Sequence, residues 1–430
     1  MTVAVIMLVL FLALAFLGIP VGFSIALSSL AMLINDGVPL TVMAQKIFAG
    51  MNSFTLMAIP FFMLAGEVMA RSGITRRLVD FANALVGWIK CGLCYVGIVA
   101  GIFMGGISGS APADTAALGA ILIPTMKEQD YPAPFAAALL ASAGAIGIII
   151  PPSIPMVVLG GVSGISIGKL FVGGIIPGVV LGICLMVASR LTCDTKRYGQ
   201  LDKTPFTLKN LWETFKKALL PLLAPVILIV GILSGYFSAT EASVVVVVYS
   251  SILGLLVYKT IRPKDYIDIC TSALKSTANV MLVIGASTIF SWILTRNNVP
   301  ALLAAWITAT GGGKAFFLAF TILVVFVAGM FLDGLPIIIM LVPIFLPIAK
   351  DLNIDPIMFG VMFTLAIAVG GLTPPVGATL FVGSQVAKCP VMKTAREAIP
   401  LIIAMTVTIV LVCVFPQLVT WLPTVMTYGG

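Results

Sequence analysis

Two proline pairs, Pro151-Pro152 and Pro374-Pro375, interrupt long apolar stretches and stand 223 residues apart. The same offset, without a gap, pairs Gly106 with Gly329, Pro124 with Pro347, Lys127 with Lys350, Gly147 with Gly370, Gly160 with Gly383 and Pro177 with Pro400. Register kept over so many glycines and prolines marks an internal repeat. Apolar segments broken by Gly and Pro at matching positions of two halves point to discontinuous helices that bind substrate or ions at the membrane midplane.

Composition places those segments in lipid. The 430 residues are 60% hydrophobic and 9% charged, against about 25% charged in soluble domains. Apolar runs long enough to span about 30 Å of hydrocarbon recur from end to end, which predicts helices and not the alternating pattern of a membrane barrel. The first run, Thr2 to Leu17, has no basic leader and reads as a membrane helix instead of a cleaved signal. The net charge of +8 sits in short polar connections, as the positive-inside rule requires, and not in a nucleic-acid surface. Two such connections, Arg190 to Lys217 and Lys259 to Lys264, read as cytoplasmic, and the turn at Ser238 to Glu241 between them faces outward. Histidine is absent, which removes imidazole switches and the usual zinc sites and leaves oxygen ligands for any coupling ion. Cys91 and Cys94, the one C-x-x-C spacing among seven cysteines, read as buried helix positions.

The pattern predicts helices near 2–17, 20–34 and 51–70, an interfacial amphipathic segment at 75–90, and a re-entrant hairpin at 91–126 with its tip near Ser108 to Asp114. A broken helix at 133–165 and a helix at 170–190 complete the first half, residues 1–190. A basic loop follows at 191–217, and residues 218–430 hold two helices near 218–236 and 240–258, helix to about 295, an amphipathic piece at 299–310, a hairpin at 315–349, a broken helix at 356–387 and a last span at 397–422. The second hairpin's tip falls at Leu332 to Pro336. Non-helical backbone at membrane depth survives only where protein buries it or it lines a cavity. The tips and proline breaks are therefore expected to meet inside the protein.

The segment Gly106-Ile107-Ser108-Gly109-Ser110-Ala111-Pro112-Ala113-Asp114-Thr115 is the richest polar cluster in the apolar stretches. Its hydroxyls and carbonyls suit a hard cation, although a Gly/Ser packing patch is the plainer reading. The offset places Asp333 opposite Ser110. Gly147 to Ser153 and Gly370 to Gly377 bring unwound carbonyls, with hydroxyls at Ser153, Thr373 and Thr379; carbonyls suit sodium, and helix N-termini suit a carboxylate. Glu67 and Asp114 are further acids in apolar surroundings. Gly160, Gly164 and Gly168 form a small-residue face for packing. Gly311-Gly312-Gly313-Lys314 is no phosphate loop, since Ala315 stands where Ser or Thr is needed. No nucleophile, base and orienting group assemble in a familiar spacing, which argues against an enzyme.

Taken together, Ile107-Ser108-Gly109-Ser110-Ala111 with Ala113-Asp114, Ile150-Pro151-Pro152-Ser153, Asp355-Pro356 with Phe359-Gly360, and Leu372-Thr373-Pro374-Pro375-Val376-Gly377 resemble the large membrane subunit of tripartite ATP-independent periplasmic (TRAP) transporters, the DctM family. Pro60-Phe61-Phe62 with Ala65-Gly66 and Met69 fits the same pattern. The resemblance covers essentially the whole chain. It implies an all-α polytopic protein of the bacterial inner membrane, built from two inverted repeats, with an elevator-type transport domain on a scaffold. It implies sodium-driven uptake of a small organic carboxylate, of C4-dicarboxylate or sialic acid type, delivered by a periplasmic binding protein, and a separate small four-helix membrane subunit. Carried onto this sequence, one sodium site comprises Ser108, Gly109, Ser110, Gly147, Pro151 and Ser153, and the other Asp333, Gly334, Gly370, Thr373 and Gly377. Substrate is expected at Ser110, Asp114, Pro152, Pro375 and Thr379 between them. Gly97, Gly101 and Asp130 depart from the pattern expected of many members, without touching those motifs. The rival reading is a stand-alone sodium/anion symporter of the same broad architecture; a membrane-embedded enzyme or scaffold is the rival from another class.

Overall fold

The computed structural model describes residues 2–199 and 205–426, and among them every regular element is helical. The chain opens with α1 (Thr2–Phe16), α2 (Val21–Asn35), α3 (Thr41–Met51), α4 (Ala58–Arg71) and α5 (Ile74–Val86). Next come α6 (Gly92–Ser108), α7 (Ala111–Glu128), α8 (Ala133–Ala145), α9 (Ile154–Ser163) and α10 (Ile167–Lys196). The centre holds α11 (Leu208–Leu233), α12 (Ala239–Ile252), α13 (Asp265–Arg296) and α14 (Val299–Ala309). The chain then closes with α15 (Gly313–Gly329), α16 (Gly334–Asp351), α17 (Pro356–Gly370), α18 (Ala378–Ala387), α19 (Val391–Val414) and α20 (Gln417–Met426). Six helices are long and apolar enough to cross a membrane, or seven if the bent pair α3 and α4 forms one span. This is a multi-pass membrane protein.

Shifted by 223 residues, the first residues of α7 and α8 land on those of α16 and α17, and α9 and α10 start one residue short of α18 and α19. Each half thus contains two helices joined at a tight tip, then a helix interrupted at its proline pair. Both proline pairs carry cis peptide bonds. The arms α6 and α15 pack on α8 and α17 of their own halves, and the return arms α7 and α16 pack both on those helices and on α18 and α9 of the other half. Lys127 at the end of α7 fastens one such exchange, donating its ammonium to the Ala387 carbonyl at the end of α18 (2.9 Å). Around this group stand α1 to α5 and α11 to α14, where α13 crosses α2, α3 and α4, and α4 packs on α12.

The amphipathic segments appear as α5 and α14. The turn expected at Ser238 to Glu241 is a reciprocal cap, in which the Ser238 hydroxyl accepts the Glu241 N–H (3.2 Å) and the Glu241 carboxylate accepts the Ser238 N–H (2.7 Å). Cys91 and Cys94 are buried, with Cys94 Sγ 3.7 Å from Cys193 Sγ.

Three segments differ from the sequence expectation. The helix expected at 51–70 begins later, as α4 after a short 3₁₀ turn at Thr55–Met57, and an unexpected helix, α3, precedes it and meets α4 at 64°. Asn52, Ser53 and Thr55 cluster there, and such side chains compete with helical hydrogen bonds. The corresponding stretch of the other half is the unbroken α13. The basic connection is shorter than expected, since α10 runs to Lys196 and α11 starts at Leu208. Arg190 and Lys196 sit on α10 and pair with Asp194 and Glu397, each at 2.7 Å; Lys203 lies outside the described residues. The last span is interrupted after Val414, because Phe415 precedes Pro416 and is biased away from helical backbone.

Candidate functional site

Small residues let the arms and the breaks touch backbone to backbone. A Cβ added to Gly105 on α6 would stand 2.8 Å from Gly147 Cα, in the turn between α8 and α9, and one added to Gly329 on α15 would stand 2.8 Å from Gly370 Cα at the end of α17. Helices in lipid associate through this kind of close approach. It delivers each hairpin tip to the proline break of its own half.

At the first tip Gly109 has φ +63°, a left-handed conformation that glycine adopts at little cost. A Cβ on Gly109 would lie 2.3 Å from the Pro152 carbonyl oxygen. Ser108 closes α6, accepts the Ser110 N–H (3.2 Å) and donates its hydroxyl to Asp114 Oδ1 (2.5 Å). Asp114 is fully buried in the first turn of α7, and its Oδ2 has no hydrogen-bond partner among the described residues. That oxygen faces the break, since a Cβ on Gly147 would stand 2.2 Å from it. A buried ionised carboxylate is costly unless paired, so Asp114 requires a neutralising partner, a proton or a cation, beyond the Ser108 hydroxyl. Ser153 joins the broken ends: its hydroxyl donates to the Ile148 carbonyl (2.5 Å) and accepts the Met156 N–H (3.2 Å) as the cap of α9. Pro151 and Pro152 are buried beside it.

At the second tip Asp333 caps α16, accepting the Gly334 N–H at Oδ1 (2.8 Å). The break reaches back to this tip, with the Val376 and Gly377 N–H groups donating to the Met330 carbonyl (3.0 and 3.3 Å) and the Thr379 N–H to the Gly371 carbonyl (3.1 Å). The Thr373 hydroxyl donates to the Val369 carbonyl of its own helix (2.9 Å).

Both tips and both breaks meet at one cavity of about 110 Å³. The first two residues of four helices line it: Ala111 and Pro112 of α7, Ile154 and Pro155 of α9, Gly334 and Leu335 of α16, and Ala378 and Thr379 of α18. Each helix N-terminus presents a partial positive charge of roughly half an elementary charge. No Lys or Arg is among the described residues that line the cavity, so the positive ends of these helices are what faces the Asp333 carboxylate and any bound anion there. Of the predicted site residues, Gly109, Ser110, Asp333, Gly334 and Thr379 line it. Asp114 belongs to a second cavity of about 150 Å³ with Ser108, Glu67 and Ser276, where the Ser272 hydroxyl donates to Glu67 (2.9 Å). Ser110, Met63 and Ile154 line both cavities. Gly147, Gly370, Pro151, Ser153, Thr373 and Gly377 support the breaks, while Pro152 and Pro375 line neither cavity and Pro375 is exposed. Met63, Val280, Ile148 and Ile367 also wall the first cavity; apolar residues in apolar helices offered no sequence signal for it.

An all-helical membrane protein whose two halves bring hairpin tips and interrupted helices to a shared cavity has the build of a membrane transporter subunit. The comparisons agree. Residues 8–418 match the family described as "Tripartite ATP-independent periplasmic transporter, DctM component", and the chain belongs to that family. It is 39% identical over 413 residues to the sialic acid TRAP transporter large permease protein SiaM of Vibrio cholerae, covering 96% of each chain. It is also 39% identical over 381 residues to the C4-dicarboxylate TRAP transporter large permease protein DctM of Pseudomonas aeruginosa, covering 89% of each. Among solved structures, the YdaH transporter of Alcanivorax borkumensis superimposes with a TM-score of 0.61 at 13% identity, over 91% of this chain and 88% of that one, a likeness of fold alone. These relatives are named as permeases and transporters, not as enzymes.

Proposed function

We propose that this chain is the transport subunit of a sodium-coupled importer of a small organic carboxylate in the bacterial inner membrane. A periplasmic binding protein delivers the acid, and a separate small four-helix membrane subunit buttresses the scaffold. The observation that carries the reading is the convergence of both tips, both breaks and four helix N-termini on one cavity with no basic side chain among the described residues that line it. An anion there is offset by helix dipoles and by co-transported cations, which makes sodium and substrate binding mutually reinforcing.

The two halves, residues 1–190 and 218–430, are read as inverted repeats, with α6 to α9 and α15 to α18 forming the moving body of an elevator. Sodium is held at the first tip by Ser108, Gly109, Ser110, Gly147, Pro151 and Ser153, and at the second by Asp333, Gly334, Gly370, Thr373 and Gly377. Asp114, expected among the substrate contacts, is read here as part of the first cation site; its unpartnered oxygen near Gly147 supports that reading. Ser110 and Thr379 remain as substrate contacts. Family membership favours the tripartite reading over a stand-alone symporter.

The test is uptake of labelled acids into proteoliposomes holding this chain with its small subunit, with and without binding protein and a sodium gradient. Asp333→Ala and Ser110→Ala are expected to abolish sodium-dependent uptake while the protein still inserts. Undiminished uptake with unchanged sodium dependence in both variants would refute the site.

A further inference from the structure

We infer that the groove between α10 and α19 binds an anionic phospholipid, with an acyl chain laid along its floor and the headgroup phosphate held at its basic mouth. The inference needs only the membrane-spanning fold and stands apart from the transport reading above. The two helices run antiparallel, since Lys196 at the end of α10 pairs with Glu397 in the second turn of α19 (2.7 Å). Between them lies a groove of about 550 Å³. Its depth comes from residue size. Small residues make the floor, Cys184, Ala188 and Thr192 on α10 with Pro400 and Ala404 on α19, while Ile183, Val187, Leu191, Ile403 and Val407 stand exposed along the rims. The hydroxyls are satisfied within their own helix, Thr192 donating to the Ala188 carbonyl (2.8 Å) and Thr195 to the Leu191 carbonyl (2.7 Å). Along its length the groove therefore offers an occupant apolar contact and no free hydroxyl proton.

Length fits one lipid chain. Thirteen residues separate Ile183 from Lys196, about 20 Å along a helix that rises 1.5 Å per residue, and one leaflet supplies about 15 Å of hydrocarbon. The groove thus starts near the middle of the bilayer and ends at headgroup level, which is the course of a single acyl chain.

Charge selects the headgroup. On α19 the lining residues Val407, Ile403 and Pro400 recur every three or four positions, and the same stripe continues onto Arg396 and Lys393. Both are exposed, and like Arg197, which follows the end of α10, they enter no ion pair among the described residues. The acids nearby are already matched, Glu397 by Lys196 and Asp194 by Lys90 and Arg190. Three cations are left over where the phosphates of the bilayer lie. Basic residues at the cytoplasmic end of a gap between membrane helices hold anionic headgroups, and this end belongs to the connection that the positive-inside rule assigns to the cytoplasm. A zwitterionic lipid fits the groove as well but brings a cation of its own to those three. The bound lipid touches α10 and α19, the last long helix of each half, and so holds the halves together.

The experiment uses the full chain, delipidated in detergent, alone and with the small membrane subunit. Thermal stabilisation is titrated with dioleoyl phosphatidylglycerol, dioleoyl phosphatidylcholine and inorganic phosphate. Phosphatidylglycerol is expected to bind at least about tenfold more tightly than phosphatidylcholine, and inorganic phosphate to stabilise nothing. Each basic residue near the surface contributes about fivefold to anionic-lipid affinity, so Lys393→Gln with Arg396→Gln should weaken phosphatidylglycerol by about 25-fold and leave phosphatidylcholine unchanged. Ala188→Leu fills the floor without altering charge and should weaken both lipids. Each variant is read against its own lipid-free unfolding midpoint. Equal binding of the two lipids, or wild-type phosphatidylglycerol affinity in both variants, would overturn the inference. Equal stabilisation by inorganic phosphate would reduce the site to an anion at the mouth and overturn it too. Loss of lipid binding on adding the small subunit would assign the groove to a helix of that subunit instead.

Discussion

Gly370→Ala tests whether backbone contact between α15 and α17 sets the second tip. The added Cβ would stand 2.7 Å from Gly329 Cα and 3.0 Å from both the Gly329 carbonyl carbon and the Phe326 carbonyl oxygen. All three are backbone atoms, so no side-chain rotation relieves the clash. Non-bonded carbons settle at about 3.5 Å or more, so the two helices must part by about 0.8 Å. Overpacking of this kind costs about 1–3 kcal/mol. The displaced segment carries the Val376 and Gly377 N–H bonds to Met330, which hold the break against the tip bearing Asp333. If the strain falls on the sodium-bound arrangement, half-saturation for sodium rises by about 5- to 150-fold. The assay is sodium-dependent uptake in proteoliposomes beside the thermal unfolding of the solubilised protein. Gly161→Ala is the control: it lies exposed within α9, its nearest neighbour is the movable Leu56 Cδ2 at 3.3 Å, and it should leave uptake unchanged. Wild-type sodium dependence and wild-type unfolding in Gly370→Ala would refute the argument.

Three further outcomes follow from the first tip. Asp114→Asn removes the charge while keeping a partner for Ser108; sodium half-saturation should rise by about 10²-fold or more if the free oxygen faces a cation, and an unchanged value would mark Asp114 as a structural group. Gly109→Ala combines a left-handed φ with a Cβ 2.3 Å from the Pro152 carbonyl oxygen; it should reduce uptake and lower the unfolding temperature together, and normal values of both would show that the tip repacks freely. Ser153→Ala deletes the cap of α9 and the bond to Ile148; a stability loss of about 1–2 kcal/mol is expected, and denaturation at the wild-type midpoint would deny the hydroxyl its bridging role.

The all-helical, multi-pass character was legible in the sequence, because apolar run length, proline and glycine act locally; the helix at 41–51 was not. Family membership was legible for the same reason, in short motifs around Ser108 to Asp114 and the two proline pairs. The bend between α3 and α4 was readable in Asn52, Ser53 and Thr55, but the expected helix runs through them from residue 51. What only the tertiary structure decided is which atoms meet. Residues from positions 63 to 379 wall one cavity, and nothing in an apolar helix distinguishes Met63 or Val280 from a residue facing lipid, since both environments favour the same side chains. From the sequence, Asp333 is assigned to a sodium site and Asp114 to the substrate. Their settings differ because α7 turns one carboxylate against Gly147, whereas the other, as the cap of α16, lines the shared cavity. The sequence by itself determined where the helices break. Packing between the halves determined what those breaks enclose, because contacts across hundreds of residues are set by shape and close approach and leave no local pattern to read.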